Sequence, residues 1–516
     1  MKKHSKKIFA ALALILALAC ALTACAPAAA SSGKTESKAS EAPASSKAEE
    51  KPVTLKYINY GAKPDTGNCD GIWKAVNDIL SKDLNCTMEV EYLGSGDKSQ
   101  MALKYAGNEA FDFAYTAHWF GFADNAQNNA FRALTMDELK QYAPYMVENL
   151  PDIAWKQASV GGQIYMLPNI NFEYNNAVFL VRGDLREKYG LDALKTMDDL
   201  EKYLEVVAKN EPGMEALGNS FVGAVWLEYP NEWRGDIGSD GWVYDVADAE
   251  NPAAFCEMFT DAYLTYAKKM RVFYEKGIFT SNIINDTTAA IDKFKNGIAA
   301  AVAHNAITMN QTALALKTTN PDWKVELFNP YMGKKLCLGN FTGNGFVVTR
   351  TSKYATKVIE VVNHIYDSVE LQKLLNYGVE GVDYEMQDGM LTVKSDVPAD
   401  KKMNIGCNWN MSNVLLKITF VKEEKYDGYA EIMADFEQNT VSHPLQAFIF
   451  DKSAVETEMA NISAVVKENA ALKYGMHADV EGAVAAYRAA LKDAGLDKVQ
   501  AEYDRQIKEF MASYSK

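Results

Sequence analysis

Val53-Thr-Leu-Lys-Tyr57, Trp73-Lys-Ala-Val76-Asn-Asp-Ile79-Leu80, Met88-Glu-Val-Glu-Tyr-Leu93 and Phe111-Asp-Phe-Ala-Tyr115 decide the fold when read as one run. In the first, Val53, Leu55 and Tyr57 alternate with polar neighbours, which is the period of a half-buried strand. In the second, Trp73, Val76, Ile79 and Leu80 recur at helical spacing. The last two segments read as strands, and a loop containing Gly, Pro and Asp runs from Gly61 to Gly71. Strand, helix, strand, helix, strand predicts an α/β fold whose sheet is mostly parallel and flanked by helices.

Ligands of such sheets lie beyond the carboxyl ends of the strands. The loops to watch are therefore Tyr60 to Asp70 and Thr116 to Asp124. The second holds His118-Trp119-Phe120-Gly121-Phe122, more aromatic surface than a connection needs. It reads either as a loop packed on its own lobe or as a platform for a ligand.

Toward the N-terminus stand Lys2, Lys3, Lys6 and Lys7, an apolar run from Ile8 to Leu18, and small residues up to Cys25. This is the pattern of a secretory signal, with a hydrophobic body too short to span a bilayer. Leu22-Thr-Ala-Cys25 resembles the lipobox of bacterial lipoproteins. That resemblance implies that residues 1–24 are removed and that Cys25 carries the lipid, holding the protein on the extracellular face of the cell membrane. From Ala26 to Lys51 the chain is almost wholly Ala, Ser, Lys, Glu, Pro, Gly and Thr, too poor in apolar side chains to offset its ordering entropy. Residues 25–51 are thus read as lipid anchor and flexible tether.

What remains of the 516 residues is too long for one ordinary core and predicts two domains. The formal charge is −15, and the four leading lysines lie in the segment to be removed, so the mature chain is more acidic still. That balance opposes nucleic acid and anionic lipid as partners and suits an uncharged or cationic ligand. The cysteines beyond Cys25 are Cys69, Cys86, Cys256, Cys337 and Cys407, widely spaced and odd in number. One disulfide, with Cys69 and Cys86 nearest in sequence, stands against isolated buried thiols, and no zinc site is implied.

Gly161-Gly-Gln-Ile-Tyr-Met-Leu-Pro168 is followed by Asn169-Ile-Asn-Phe-Glu-Tyr174, a strand from Val178 to Arg182, and Arg182-Gly-Asp-Leu185. This succession resembles the first interdomain crossing of the extracellular solute-binding proteins of ABC importers. Thr196-Met-Asp-Asp199 before Leu200, Tyr203, Leu204 and Val207 is similar to a helix start of that family and carries its own capping logic. Phe294-Lys-Asn-Gly297-Ile-Ala-Ala-Ala-Val302 resembles a second crossing, with His304, Asn305 and Thr308 at the end of a small-residue strand. Phe341-Thr-Gly-Asn-Gly345 looks like a third, its glycines letting the backbone bend. Asn376-Tyr-Gly-Val-Glu-Gly381 and the stretch from Phe448 to Gln506 resemble LplA-type lipoproteins, a subgroup with a C-terminal domain of unknown function.

The resemblance implies a two-lobed fold of the type II periplasmic-binding kind, each lobe a mostly parallel sheet flanked by helices. The division it gives is 53–168 with 298–343 as lobe 1, 169–297 with 344–440 as lobe 2, and 441–516 as a helical region packed on lobe 2. Read from the residues alone, Val499, Tyr503, Ile507 and Phe510 make a helical stripe after Gly495, and Val358, Val361, Val362, Ile365 and Val369 make another.

Trp226, Tyr229, Trp233 and Trp242 lie among Gly, Pro, Asn and Asp. Aromatic faces suit the apolar side of a sugar ring, and equally an irregular core. No Gly-x-Ser-x-Gly elbow or His-Glu-x-x-His occurs, and Gly94-Ser-Gly-Asp-Lys98-Ser99 lacks the glycine that must precede a phosphate-loop lysine. The expectation is a non-enzymatic carrier without cofactor or metal. Its two lobes would close on an oligosaccharide or similar polar solute and, as a monomer, hand it to permease subunits. The other readings are a peptide ligand, an exported glycoside hydrolase and a solute sensor for a membrane partner. The residues expected in the cleft are Tyr60, His118, Trp119, Asn171, Glu173, Trp226, Trp233, Asn305, Asn344 and Trp409.

Overall fold

Runs of alternating and helically spaced apolar residues build two main sheets covered by helices, with four smaller sheets beside them among the described residues. The computed structural model describes residues 51–94, 98–170, 174, 177–218, 221–235, 237–238, 241–416 and 425–514. The signal segment, Cys25, the tether up to Glu50, and the expected cleft residues Asn171 and Glu173 lie outside the described residues.

The first lobe begins with β1 (Val53–Asn59), α1 (Cys69–Leu84), β2 (Cys86–Tyr92) and β3 (Phe113–Thr116). β1 lies between β2 and β3 and is parallel to both. α1 buries Ile72, Trp73, Val76 and Leu80, and Asn85, left-handed at φ 50°, turns the chain straight into β2. β4 (Met166–Pro168) ends the first pass through this lobe.

β5 (Ala177–Arg182), buried along its whole length, opens the second lobe. α2 (Met197–Asn210) starts on the capping box read from the sequence: the Asp199 carboxylate accepts from the Thr196 backbone N–H at 2.9 Å, and the Thr196 hydroxyl oxygen accepts from the Asp199 N–H at 3.2 Å. β6 (Ala301–Asn305), α3 (Ala306–Thr319) and β7 (Val325–Phe328) follow. β6 and β7 flank β5, and both run antiparallel to it. β8 (Gly345–Val348) then pairs antiparallel with β3 and β4 and completes the order β2-β1-β3-β8-β4.

These pairings exchange most of the two later segments of the expected division, although Ile432 and Phe436, near the end of the second, pack with Val178 and Leu180 of the second sheet. The small-residue strand read as a return to lobe 1 (298–343) stays beside β5 in the second sheet, where Ala303 lies opposite the bulky Phe179. β8, assigned with 344–440 to lobe 2, belongs to the first sheet. Small residues report close packing but not which sheet a strand joins, since that is settled by contacts far away in sequence. The sheets are also less parallel than expected. β5 leaves the edge where the chain crosses while β6 runs back toward it, and β8 enters the first sheet from that edge against the direction of β3.

α4 (Ala355–Asp367) covers the first sheet with Val358, Val361, Val362 and Ile365. Val369, expected to extend that stripe, is 46 % exposed, because Ser368 ends the helix and caps the next one through the Leu371 N–H at 3.2 Å.

α5 (Glu456–Glu468), α6 (Val480–Asp493) and α7 (Leu496–Tyr514) share one core with the second sheet. The Tyr503 ring stacks on Trp242 at 5.4 Å and on Phe450 at 3.8 Å, and its hydroxyl donates to the Ile237 carbonyl at 3.1 Å. This region also reaches the first lobe, through Lys452 with Asp124 at 2.7 Å and Lys156 over the Tyr514 ring at 4.2 Å. Cys69, Cys86, Cys256, Cys337 and Cys407 are free thiols, the first four buried.

Candidate functional site

β1, β3 and β4 all finish at one edge of the first sheet, and β8 begins there, with Gly345 opposite both Thr116 and Pro168. The crossing segments meet at the same edge, where Tyr174 bridges Leu338. The residues just past the strand ends are aromatic. The Tyr60 ring centre lies 5.2 Å from Tyr115, 5.5 Å from Trp119, 5.2 Å from Phe120 and 6.0 Å from Trp409. Tyr115 meets Trp409 edge-on at 5.7 Å.

Hydrogen bonds fix this nest to the returning chain. The Trp119 indole N–H donates to the Gly343 carbonyl at 2.9 Å, His118 Nδ1 lies 3.2 Å from the Thr342 carbonyl, and the Tyr115 hydroxyl donates to Asn344 Oδ1 at 2.8 Å. Buried Asn169 donates its backbone N–H to the Asn344 carbonyl at 2.9 Å and its side-chain amide to the Trp409 carbonyl at 3.0 Å. Trp119 nevertheless keeps 44 % of its surface in solvent. An exposed indole held in one orientation has already lost the freedom that binding would otherwise cost.

The rings of Tyr60, Tyr115, Trp119, Phe120 and Trp409 and the amides of Asn169 and Asn344 bring no formal charge to the nest. Burial raises the Tyr60 hydroxyl above its ordinary value, with a smaller push from Cys407, and burial moves the Cys407 thiol up to about 11. Aromatic faces and neutral amides suit a hydroxylated ligand with an apolar side, and they offer no countercharge to an ion. Among the described residues, no group of three His, Cys, Asp or Glu side chains is placed to hold a metal ion.

Five expected residues therefore come together: Tyr60, His118, Trp119, Asn344 and Trp409. Asn305 ends β6 on the crossing edge of the second sheet, opposite Ala177, and its side-chain oxygen caps α3 by accepting from the Thr308 N–H at 2.8 Å. Trp226 is a correction. It is 7 % exposed, packed edge-on against Phe179 at 5.9 Å and Phe273 at 5.6 Å, and it belongs to the core of the second lobe. Trp233 joins a different group, edge-on to Phe255 at 5.1 Å and lining a shallow hollow with Tyr331 and Lys334. The sequence reading missed Tyr115 and Asn169. A tyrosine at a strand's carboxyl end directly before an aromatic loop was the available signal for the first, and nothing local marked the second.

The chain is 25% identical over 523 residues, 99% of each chain, to a protein of Streptococcus pneumoniae serotype 4 (strain ATCC BAA-334 / TIGR4) described as a carbohydrate ABC transporter substrate-binding protein. The chain is a relative of ABC-transporter substrate-binding proteins. The lipoprotein LipO of Bacillus subtilis (strain 168) is 23% identical over 295 residues, 53% of this chain and 56% of that one. Residues 444–512 match a family model described as a domain of unknown function, DUF3502. Among solved structures, the N-glycan transport solute binding protein NgtS of Streptococcus pneumoniae, in complex with Man1GlcNAc, superposes with a TM-score of 0.71 at 20% identity, over 89% of this chain and 100% of that one. The fold is that of substrate-binding proteins.

Two histidines of the second lobe, His304 in β6 and His443 stacked on Tyr244, tie stability to pH. Burial holds His304 and His443 below the usual 6.5, against smaller opposing effects of Asn305 on the first and of Asp245 and Asp248 on the second. Unfolded imidazoles take up protons near that value while the folded ones stay neutral, so the unfolded chain binds more protons and stability falls as pH drops below it. The melting temperature is expected to be lower at about pH 5.5 than at about pH 7.5. A melting temperature that holds or rises on acidification would show that other titrating groups outweigh these two rings.

Proposed function

We propose that this chain binds an oligosaccharide between its lobes and delivers it, as a lipid-anchored monomer on the extracellular face of the membrane, to the permease subunits of an ABC importer. The observation that carries the reading is the neutral aromatic nest around the exposed Trp119, standing where both crossings leave the first sheet. A pyranose offers C–H groups to such rings and hydroxyls to the amides beside them. A solute touching both lobes favours the closed form by the difference in its affinity for the two forms, and the closed form is the one that docks on the permease. Cys25 supplies the anchor in this reading, and its support is the Leu22-Thr-Ala-Cys25 pattern together with the lipoprotein relative.

The test is native mass spectrometry of the purified protein, followed by a melting screen with mannose-GlcNAc oligosaccharides, kestose, alginate oligomers and short peptides. A sugar that raises the melting temperature and is recovered unchanged is the expected result. Release of a cleaved product would make the protein a hydrolase, and a shift with peptides alone would replace the ligand class.

A further inference from the structure

The first lobe contributes an aromatic nest, but none of the residues expected from the second lobe supplies a matching ring. Trp226 is core and Trp233 packs on Phe255. Phe221 fills that role. It is 39 % exposed, and its backbone sits at φ 53°. A bulky residue in the left-handed region is an outlier that the surrounding structure has to enforce. An exposed phenyl ring gives little burial in return for that strain, so the strain is better accounted for by function than by packing. A wide π-helical turn, Ala224–Glu228, begins just beyond it, a feature that concentrates at functional sites.

His304 stands beside it. The Phe221 and His304 rings meet at 5.3 Å and 81°, and although the neighbouring Asn305 side chain acts on the His304 ring, its Nδ1 is buried with no hydrogen-bond partner. An unpaired buried ring nitrogen is costly unless a ligand group completes it. His304 is the next-to-last residue of β6, whose end lies opposite Ala177, the first residue of β5 on the crossing edge. Strain, exposure and an unanswered hydrogen bond thus fall on two touching residues at the end of the second sheet that faces the crossings.

We propose that Phe221 and His304 form the second lobe's share of the solute site, the phenyl ring taking the apolar side of one sugar unit and His304 Nδ1 bonding a hydroxyl of that unit. The proposal rests on the reading of this chain as an oligosaccharide carrier. It adds that the contact is ring plus neutral imidazole, and so selects an uncharged sugar unit over an acidic one.

The experiment titrates the protein and the variants Phe221→Gly, Phe221→Tyr and His304→Phe with a mannose-GlcNAc oligosaccharide, kestose and an alginate oligomer by calorimetry, with melting curves of each ligand-free protein. Glycine accepts positive φ without strain, so Phe221→Gly is expected to melt at or above the parent temperature while binding at least about tenfold more weakly, the size of one lost aromatic contact. Phe221→Tyr keeps the ring and is expected to bind as the parent does. His304→Phe removes an unpaired nitrogen and keeps the ring contact, so it should hold or raise the melting temperature and weaken binding by about tenfold. Unchanged affinity in Phe221→Gly and His304→Phe overturns the proposal and leaves the carrier reading intact, as does a lower melting temperature with unchanged affinity. Parent protein that binds none of the three sugars removes the carrier reading and the proposal with it, and tightest binding to the alginate oligomer overturns the selection of an uncharged unit.

Discussion

Trp119→Ala is expected to bind its sugar at least about 30-fold more weakly while melting within a few degrees of the parent. Truncating a tryptophan at the centre of a binding surface costs about 2 kcal/mol or more, and each 1.4 kcal/mol is about tenfold in affinity. The folded protein loses less, because the ring is 44 % exposed and its main bond is the indole N–H to the Gly343 carbonyl. One such bond is worth about 1 kcal/mol to stability. Trp119→Phe separates the two contributions, since it keeps a stacking face and drops the donor. It should recover most of the affinity and little of the stability. Calorimetry beside melting curves reads both quantities, and a large fall in melting temperature with affinity intact would assign Trp119 to the core.

Lys293→Ala is expected to cost about 3 kcal/mol or more of stability, read as a lower urea midpoint with an unchanged slope. Lys293 is 2 % exposed and its ammonium donates to both oxygens of Glu215, at 3.0 and 2.9 Å, and pairs with Asp286. Its backbone carbonyl accepts the N–H groups of Ile298 and Ala299, so the residue also shapes the turn that leads into β6. Removing it leaves two carboxylates facing each other without a cation. The hydrogen bond from Lys293, followed by bonds from the Thr288 backbone and side chain, holds Asp286 down at about 2, so in the parent this stabilisation is present above the ordinary carboxylate range and is lost as pH falls through about 2. The variant should show a smaller acid-side loss, since the Thr288 bonds to Asp286 remain. A variant as stable as the parent at neutral pH would show that water replaces the ammonium at no cost.

What was legible in the sequence was local. The alternation in β1, the stripe of α1, the Thr196–Asp199 cap and the Val499–Tyr503–Ile507 face all rest on residues within a few positions of one another, and each stands in the structure as read. Tyr60, His118 and Trp119 were legible because parallel strands place the loops after them at one edge, whereas Asn344 and Trp409 were reached only through the family resemblance. The membership of β6 and β8 was not, because it depends on partners more than a hundred residues away, Val178 to His304 and Tyr115 to Phe346. Trp119 and Trp226 read alike in sequence, both apolar rings in irregular stretches. Only the packing of Phe179 and Phe273 around the second separates them.

The late return of β8 sets an order of assembly. Among the described residues β4 pairs with β8 alone, and β3 keeps one edge open until β8 arrives. The strands of the second sheet all lie between Ala177 and Phe328 and need nothing further along the chain to pair. In a chain delivered N-terminus first, the second sheet can therefore close while the first still presents a bare strand edge, the kind of edge that invites wrong pairing. The segment that finally covers it brings Gly343 and Asn344, the groups that hold Trp119 and Tyr115 in place. The contacts that fix Trp119 and Tyr115 thus form only after the second sheet has all the strands it needs.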